Sequence, residues 1–403
     1  MTDPRPPSPS SPARFSRRVF AVALGFLLVV AVLGTLLRLH AVVPLTGFAY
    51  SNILHAHSHV AFLGWVFNAF FALALTHFIP PVDRRGYLRL FVVLQVAVVG
   101  MLVAYPVQGY GAVSIAFSSL HMVGSGVFAW KLWRSNTASP AASGHLGAAL
   151  LFLVVSGLGP LALGPLAAAG LRDTPAYQLS IYFYLHCQYN GWFLFFLQAV
   201  LFQSFTPANP DAARRALWWL AAGAVLTLAQ SALWLHPPGW VYVIAALGGG
   251  AQLVGCVHLL RALRGSGALF TGMARALAVL ALGGFLLKHI LQAASALSVL
   301  SHLVNHRFTV IAFLHLVFLG VVAPAIFAWA LRHGWLRATP LAHAGPGLFV
   351  GASLVNEVLL IAAPLGAFYS PHALLLASLG MTAGAALLVV STRHRAPTPL
   401  PSR

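Results

Sequence analysis

The stretch His55-Ala-His57-Ser-His59-Val-Ala-Phe-Leu-Gly64-Trp65 places three histidines at alternate positions in an otherwise apolar run. Successive residues of a helix turn by about 100°, so at most two of the three can converge on one ligand from regular helix. Within the stretch, His59 and Gly64 form the pattern H-x-x-x-x-G. The pattern returns at His186 with Gly191 and at His315 with Gly320, after intervals of 127 and 129 residues. Three recurrences at about a third of the chain length read as an internal repeat.

Composition sets the environment of that repeat. A chain that is 60% hydrophobic and 7% charged, with mean hydropathy +0.86, has more apolar surface than a water-soluble core can hide. It reads as an all-α integral membrane protein. Two cysteines, Cys187 and Cys256, provide no disulfide framework and no paired motif. The net charge of +18 would point to nucleic acid in a soluble protein, but in a membrane protein its placement matters more than its sum, and no nucleic-acid partner is expected. No Walker, GxGxxG, GxSxG or HExxH motif occurs, so nucleotide, esterase and zinc-protease chemistries lack support.

Residues 1–18, rich in Pro and Ser, read as a disordered cytoplasmic tail, residues 19–392 as one membrane domain, and residues 393–403 as a second cytoplasmic tail. Windows of about 20 residues predict twelve spans. They fall near 19–41, 52–79, 87–106, 110–134, 145–170, 176–204, 213–235, 238–263, 270–299, 307–332, 345–367 and 371–392. With the N-terminus inside, 19 of the 23 Lys and Arg residues fall on the cytoplasmic side. Only Arg38, Arg172 and Arg307 lie outside, and Lys288 lies within a span. That bias predicts both termini inside. The second, sixth and tenth helices then enter from the outer face. Their histidines sit 7 to 10 residues in, at a common depth of roughly 10–15 Å.

An ionisable side chain in a membrane helix is a functional candidate by default. Three histidines in one layer suit axial ligation of haem, or a metal held by neutral imidazoles. Glycine five residues on leaves room for a flat macrocycle or a close helix. Of the five carboxylates, Glu357 alone falls mid-span, and it is a candidate proton relay or the partner of a buried cation. Lys288 could pair with Glu357 or neutralise an anionic group such as a haem propionate. Tyr182, Tyr184 and Tyr189 flank His186 and could bond its ring, or simply pack. His77, His145, His333 and His394 read as interfacial, and His302 and His306 as lying at the outer mouth.

The helix count, the orientation and the histidines on helices two, six and ten resemble the catalytic subunit of haem-copper oxidases, a family built as a threefold pseudo-repeat of four helices. The run His57-Ser-His59-Val-Ala-Phe-Leu63-Gly64-Trp65-Val66 is similar to a motif that the family carries on its tenth helix. The resemblance implies at least one haem b, held by His59 and His315, with His57 as the ligand of a second haem and His186 at a copper-ligand position. Phe313 stands where the family has a second tenth-helix histidine, and the seventh helix lacks its histidine pair. Any second metal, copper or another, would have to be assembled from among His55, His57, His186 and His289 instead. The implied task is electron transfer, or reduction of oxygen or nitric oxide, in the bacterial inner (cytoplasmic) membrane. The donor would be a quinol or a cytochrome c, or a partner subunit would be needed. Two other readings are compatible with the residues: a non-catalytic haem or copper binder of the nitric-oxide-response type, and a transporter with threefold repeats.

Overall fold

The structure is a computed structural model that describes residues 11–393 apart from 136, 301, 302, 304 and 337–339. Most of the two expected tails (1–10 and 394–403), with His394 and His302, therefore lies outside the described residues. No strand occurs among the described residues, and eleven helices are long and apolar enough to cross a membrane. This is a multi-pass, all-helical membrane protein.

In chain order the helices are α1 (Ser11–Val42), α2 (Tyr50–His77), α3 (Pro81–Gln108), α4 (Ala112–Arg134) and α5 (Pro140–Ala168). A helical run at 175–204 is α6. Then come α7 (Pro210–Leu235), α8 (Gly239–Ala262), α9 (Gly272–Ala294), α10 (Arg307–Arg332), α11 (Pro340–Ala362) and α12 (Pro371–Arg393). Only α6 falls short of the composition expected of a span. Its Gln188, Asn190 and Gln198 are all buried, so its polarity is hidden within the protein rather than presented to lipid.

Helix α1 begins at Ser11, earlier than composition suggested. The reason is tertiary: the Arg17 guanidinium donates to the Thr392 carbonyl at 3.1 Å, tying the start of α1 to the end of α12. Farther along, Thr35 and Thr382 share a hydroxyl hydrogen bond of 2.9 Å. The first and last helices thus close a ring. Within it α2 is central, with 78% of its apolar window buried against 33% for α1.

The repeat noticed in the sequence has a backbone counterpart. Immediately after His59, His186 and His315 the chain winds into a π-helical turn, at Val60–Val66, Cys187–Trp192 and Leu316–Val322. Each turn closes with an i→i−5 bond: Phe67 to Phe62, Phe193 to Gln188 and Ala323 to Phe318. Such turns insert one residue into a helix and often accompany functional sites. The glycine of each turn is where the first helix of that third of the chain crosses. A β-carbon on Gly64 would meet the Phe26 ring at 3.0 Å, and one on Gly191 would meet the Phe152 ring at 2.1 Å. At the third turn the missing side chain is on α9, where a β-carbon on Gly284 would lie 2.5 Å from the Gly320 carbonyl oxygen. The repeated glycines therefore serve close helix packing.

Candidate functional site

Each histidine of the layer is held by the helix that follows its own. His59 donates from Nδ1 to the His55 carbonyl (3.0 Å), and its Nε2 accepts from the Tyr105 hydroxyl of α3 (3.0 Å). His55 meets Tyr110 edge-on, with ring centroids 4.5 Å apart. His186 donates from Nε2 to the Ala224 carbonyl of α7 (2.7 Å), and its Nδ1 accepts from the Asn190 amide (3.1 Å). His315 Nδ1 lies 3.4 Å from Glu357 Oε1 on α11, and the Asn356 amide nitrogen donates to that carboxylate oxygen at 3.1 Å while lying 3.4 Å from His315 Nδ1 itself. The three imidazoles share a register but face three different ways. A single cluster of all three is not what the fold makes.

The meeting point of the three helices is apolar. Phe62, Phe193 and Phe318 pack against one another, with centroid separations of 5.6, 5.3 and 4.6 Å, where α2, α6 and α10 meet. Phe313 packs edge-on against Tyr189 at 6.0 Å, so apolar rings occupy the position where a second tenth-helix histidine would have projected.

Lys288 is fully buried and does not reach Glu357. Its ammonium donates to Asn190 Oδ1 and lies 3.4 Å from His289 Nε2, while His289 donates from Nδ1 to the Phe285 carbonyl (2.7 Å). Two chains of donors and acceptors therefore run outward from one lysine. One passes through Asn190 and His186 to the Ala224 carbonyl, and the other through His289 to the Phe285 carbonyl. Every link has a consistent direction, which is how a buried polar network avoids unpaired groups. Asn190 is the residue that sequence reading missed. Its only signal was its place in the second copy of the repeat, four residues after His186 on the same helical face.

These contacts test the expected ligand sets. A metal-binding histidine needs one ring nitrogen free and the other fixed by an acceptor. His186 has both nitrogens engaged, and His289 presents its free one to an ammonium. His55, His57, His186 and His289 face different neighbours. Among the described residues no three His, Cys, Asp or Glu side chains are grouped to hold a metal. The residues do not fit copper. His59 also has both nitrogens engaged. His57 differs, because its Nδ1 donates to the Val30 carbonyl of α1 (3.0 Å) and its ring lies within electrostatic reach of His315. Among the described residues, Nε2 of His57 and Nε2 of His315 make no hydrogen bond. Arg38 lies within electrostatic reach of both Glu357 and Arg307, and Arg307 donates to the Tyr50 hydroxyl at 3.2 Å.

No protein-family profile and no curated protein sequence matches this chain. Among solved structures it is similar to a heme-copper terminal oxidase dimer determined by cryo-electron microscopy. The TM-score is 0.60 at 14% identity, over 94% of this chain and 82% of that one. The chain has the fold of that oxidase.

Proposed function

We propose that the protein is a haem-binding electron carrier of the membrane, in which His57 and His315 would hold one b-type haem. The observation that carries this reading is the hydrogen bonding of these two rings. His57 donates from Nδ1 to the Val30 carbonyl, and His315 Nδ1 lies 3.4 Å from both the Glu357 carboxylate and the Asn356 amide. Nε2 of each ring makes no hydrogen bond among the described residues; with the His315 proton on Nδ1, facing the carboxylate, both Nε2 atoms carry the lone pair. Acceptors behind a ligating imidazole fix its tautomer and raise its basicity. Asn356 orients the carboxylate. Arg38, within electrostatic reach of both Glu357 and Arg307, suits the propionates, a role that Lys288 is too deeply buried and too fully engaged to take. The haem supplies one-electron redox chemistry.

A haem held by both His57 and His315 would supply electron transfer rather than reduction of oxygen or nitric oxide. That no copper-fitting ligand set occurs among the described residues is in keeping with the same choice. The donor that fits this role is a membrane quinol, a cytochrome c or a partner subunit. We further read α6 as a twelfth span and the chain as a threefold pseudo-repeat of four helices. The matching π turns, glycine contacts and following-helix clamps support that reading. The clustering of basic residues at one end supports an orientation with both termini inside the bacterial inner membrane.

The test is an optical spectrum of the purified protein. A six-coordinate low-spin haem spectrum is expected in wild type and in His59→Ala, and its loss is expected in His57→Ala and in His315→Ala. A colourless wild-type preparation, or loss in His59→Ala alone, would overturn the assignment.

A further inference from the structure

The three repeat histidines have counterparts 18 residues later: His77, Ser204 and His333, at the other ends of α2, α6 and α10. In the histidine layer the equivalent side chains diverge, but here they converge. His77 Nε2 and His333 Nε2 lie 3.0 Å apart, and His77 Nδ1 lies 3.2 Å from Ser204 Oγ. The Ser204 hydroxyl spends its proton on the Val200 carbonyl (3.0 Å), so it can only accept from His77, and the His77 proton is on Nδ1. That leaves a lone pair on His77 Nε2, aimed at the facing imidazole.

Both rings are held in place. The His333 ring is stacked between Trp329 and Trp335, with centroids at 5.6 and 5.2 Å. His77 meets Trp329 edge-on at 5.1 Å, and its own carbonyl accepts from the Gln203 amide at 3.2 Å. The neighbouring Arg332 turns away to the Leu269 carbonyl.

We propose that His77 and His333 form a two-imidazole site for one divalent late first-row transition ion, with Ser204 as the outer partner of His77 and water completing the coordination. Two nitrogens on a tetrahedral zinc at roughly 2.0–2.1 Å stand only a few tenths of an ångström farther apart than this pair. Imidazole suits Zn, Cu and Ni. Binding requires the one proton between the two Nε2 atoms to move to His333 Nδ1, so that both imidazoles stay neutral and each offers its Nε2 lone pair, and it clips together the helices that carry His57 and His315. The site is independent of the haem proposal, because its ligands lie a full 18 residues farther along the same helices.

The experiment uses the purified full chain. Cu²⁺ is titrated with detection by electron paramagnetic resonance, and Zn²⁺ by competition with a chromophoric chelator. One ion per chain with a two-nitrogen copper signature is expected, bound at least tenfold more weakly in His77→Gln and in His333→Gln. Ser204→Ala, which touches only the outer nitrogen, is expected to weaken it two- to threefold. Equal affinity in wild type and both histidine variants would overturn the site. If a variant fails to fold, the wild-type signal decides alone, and no two-nitrogen signature would be a refutation.

Discussion

The sites around His186 and His315 start from one sequence pattern and end in opposite conditions. At His186 the following helix supplies a carbonyl, Asn190 takes the second nitrogen, and Lys288 closes the group with a cation of the protein's own. At His315 the following helix brings a carboxylate and the Asn356 amide to one nitrogen only, and the other makes no hydrogen bond among the described residues. Equal placement in a repeat sets a side chain's depth, but the neighbours that arrive from other helices set its chemistry.

The largest effect that could break this contrast is on haem content. His315→Ala or His57→Ala is expected to lower bound haem more than tenfold, measured by pyridine haemochrome, while His186→Ala leaves it within twofold. Equal loss in all three would mean that the two sites are not different in kind.

Stability gives the next largest effect. Asn190→Leu leaves the buried Lys288 without its main acceptor, and hydrogen bonds to charged groups contribute about 1.5–3 kcal/mol. Thermal unfolding is expected at a clearly lower temperature, with the double variant Asn190→Leu/Lys288→Met recovering most of the loss. An unshifted melting temperature in the single variant would mean that the lysine is satisfied elsewhere.

A redox titration sharpens the other side. Glu357→Gln removes the charge behind His315, makes the ligand less basic and favours the reduced iron. The midpoint potential is expected to rise by on the order of 60 mV, a decade in equilibrium constant for one electron. A fall, or no change, would detach Glu357 from the haem ligand.

The smallest effect is expected from Tyr105→Phe, which removes one hydrogen bond from His59 and should cost about 1 kcal/mol with the haem spectrum unchanged. A changed spectrum would return His59 to the ligand set.

Much of the architecture was legible from residues alone. The apolar runs, the breaks between them and the one-sided distribution of arginines follow from the hydrophobic effect and the cost of moving charge across lipid, both of which act on composition. The 127- and 129-residue spacing was equally readable, and it marked three positions that the backbone treats alike, down to the π turn.

What sequence could not decide was direction. His57 and His59 are two residues apart and diverge by roughly 200° on a helix, and only the packing of α1 and α3 turns one toward Val30 and the other toward Tyr105. Lys288 and Glu357 are opposite charges and looked like partners, yet they lie on helices that deliver them to different neighbours. Local patterns fix which residues enter the bilayer and how deep they lie, because those depend on a segment's own hydrophobicity and length. Which buried polar groups meet depends on helix rotation and contact between distant parts of the chain, and only the folded structure specifies those.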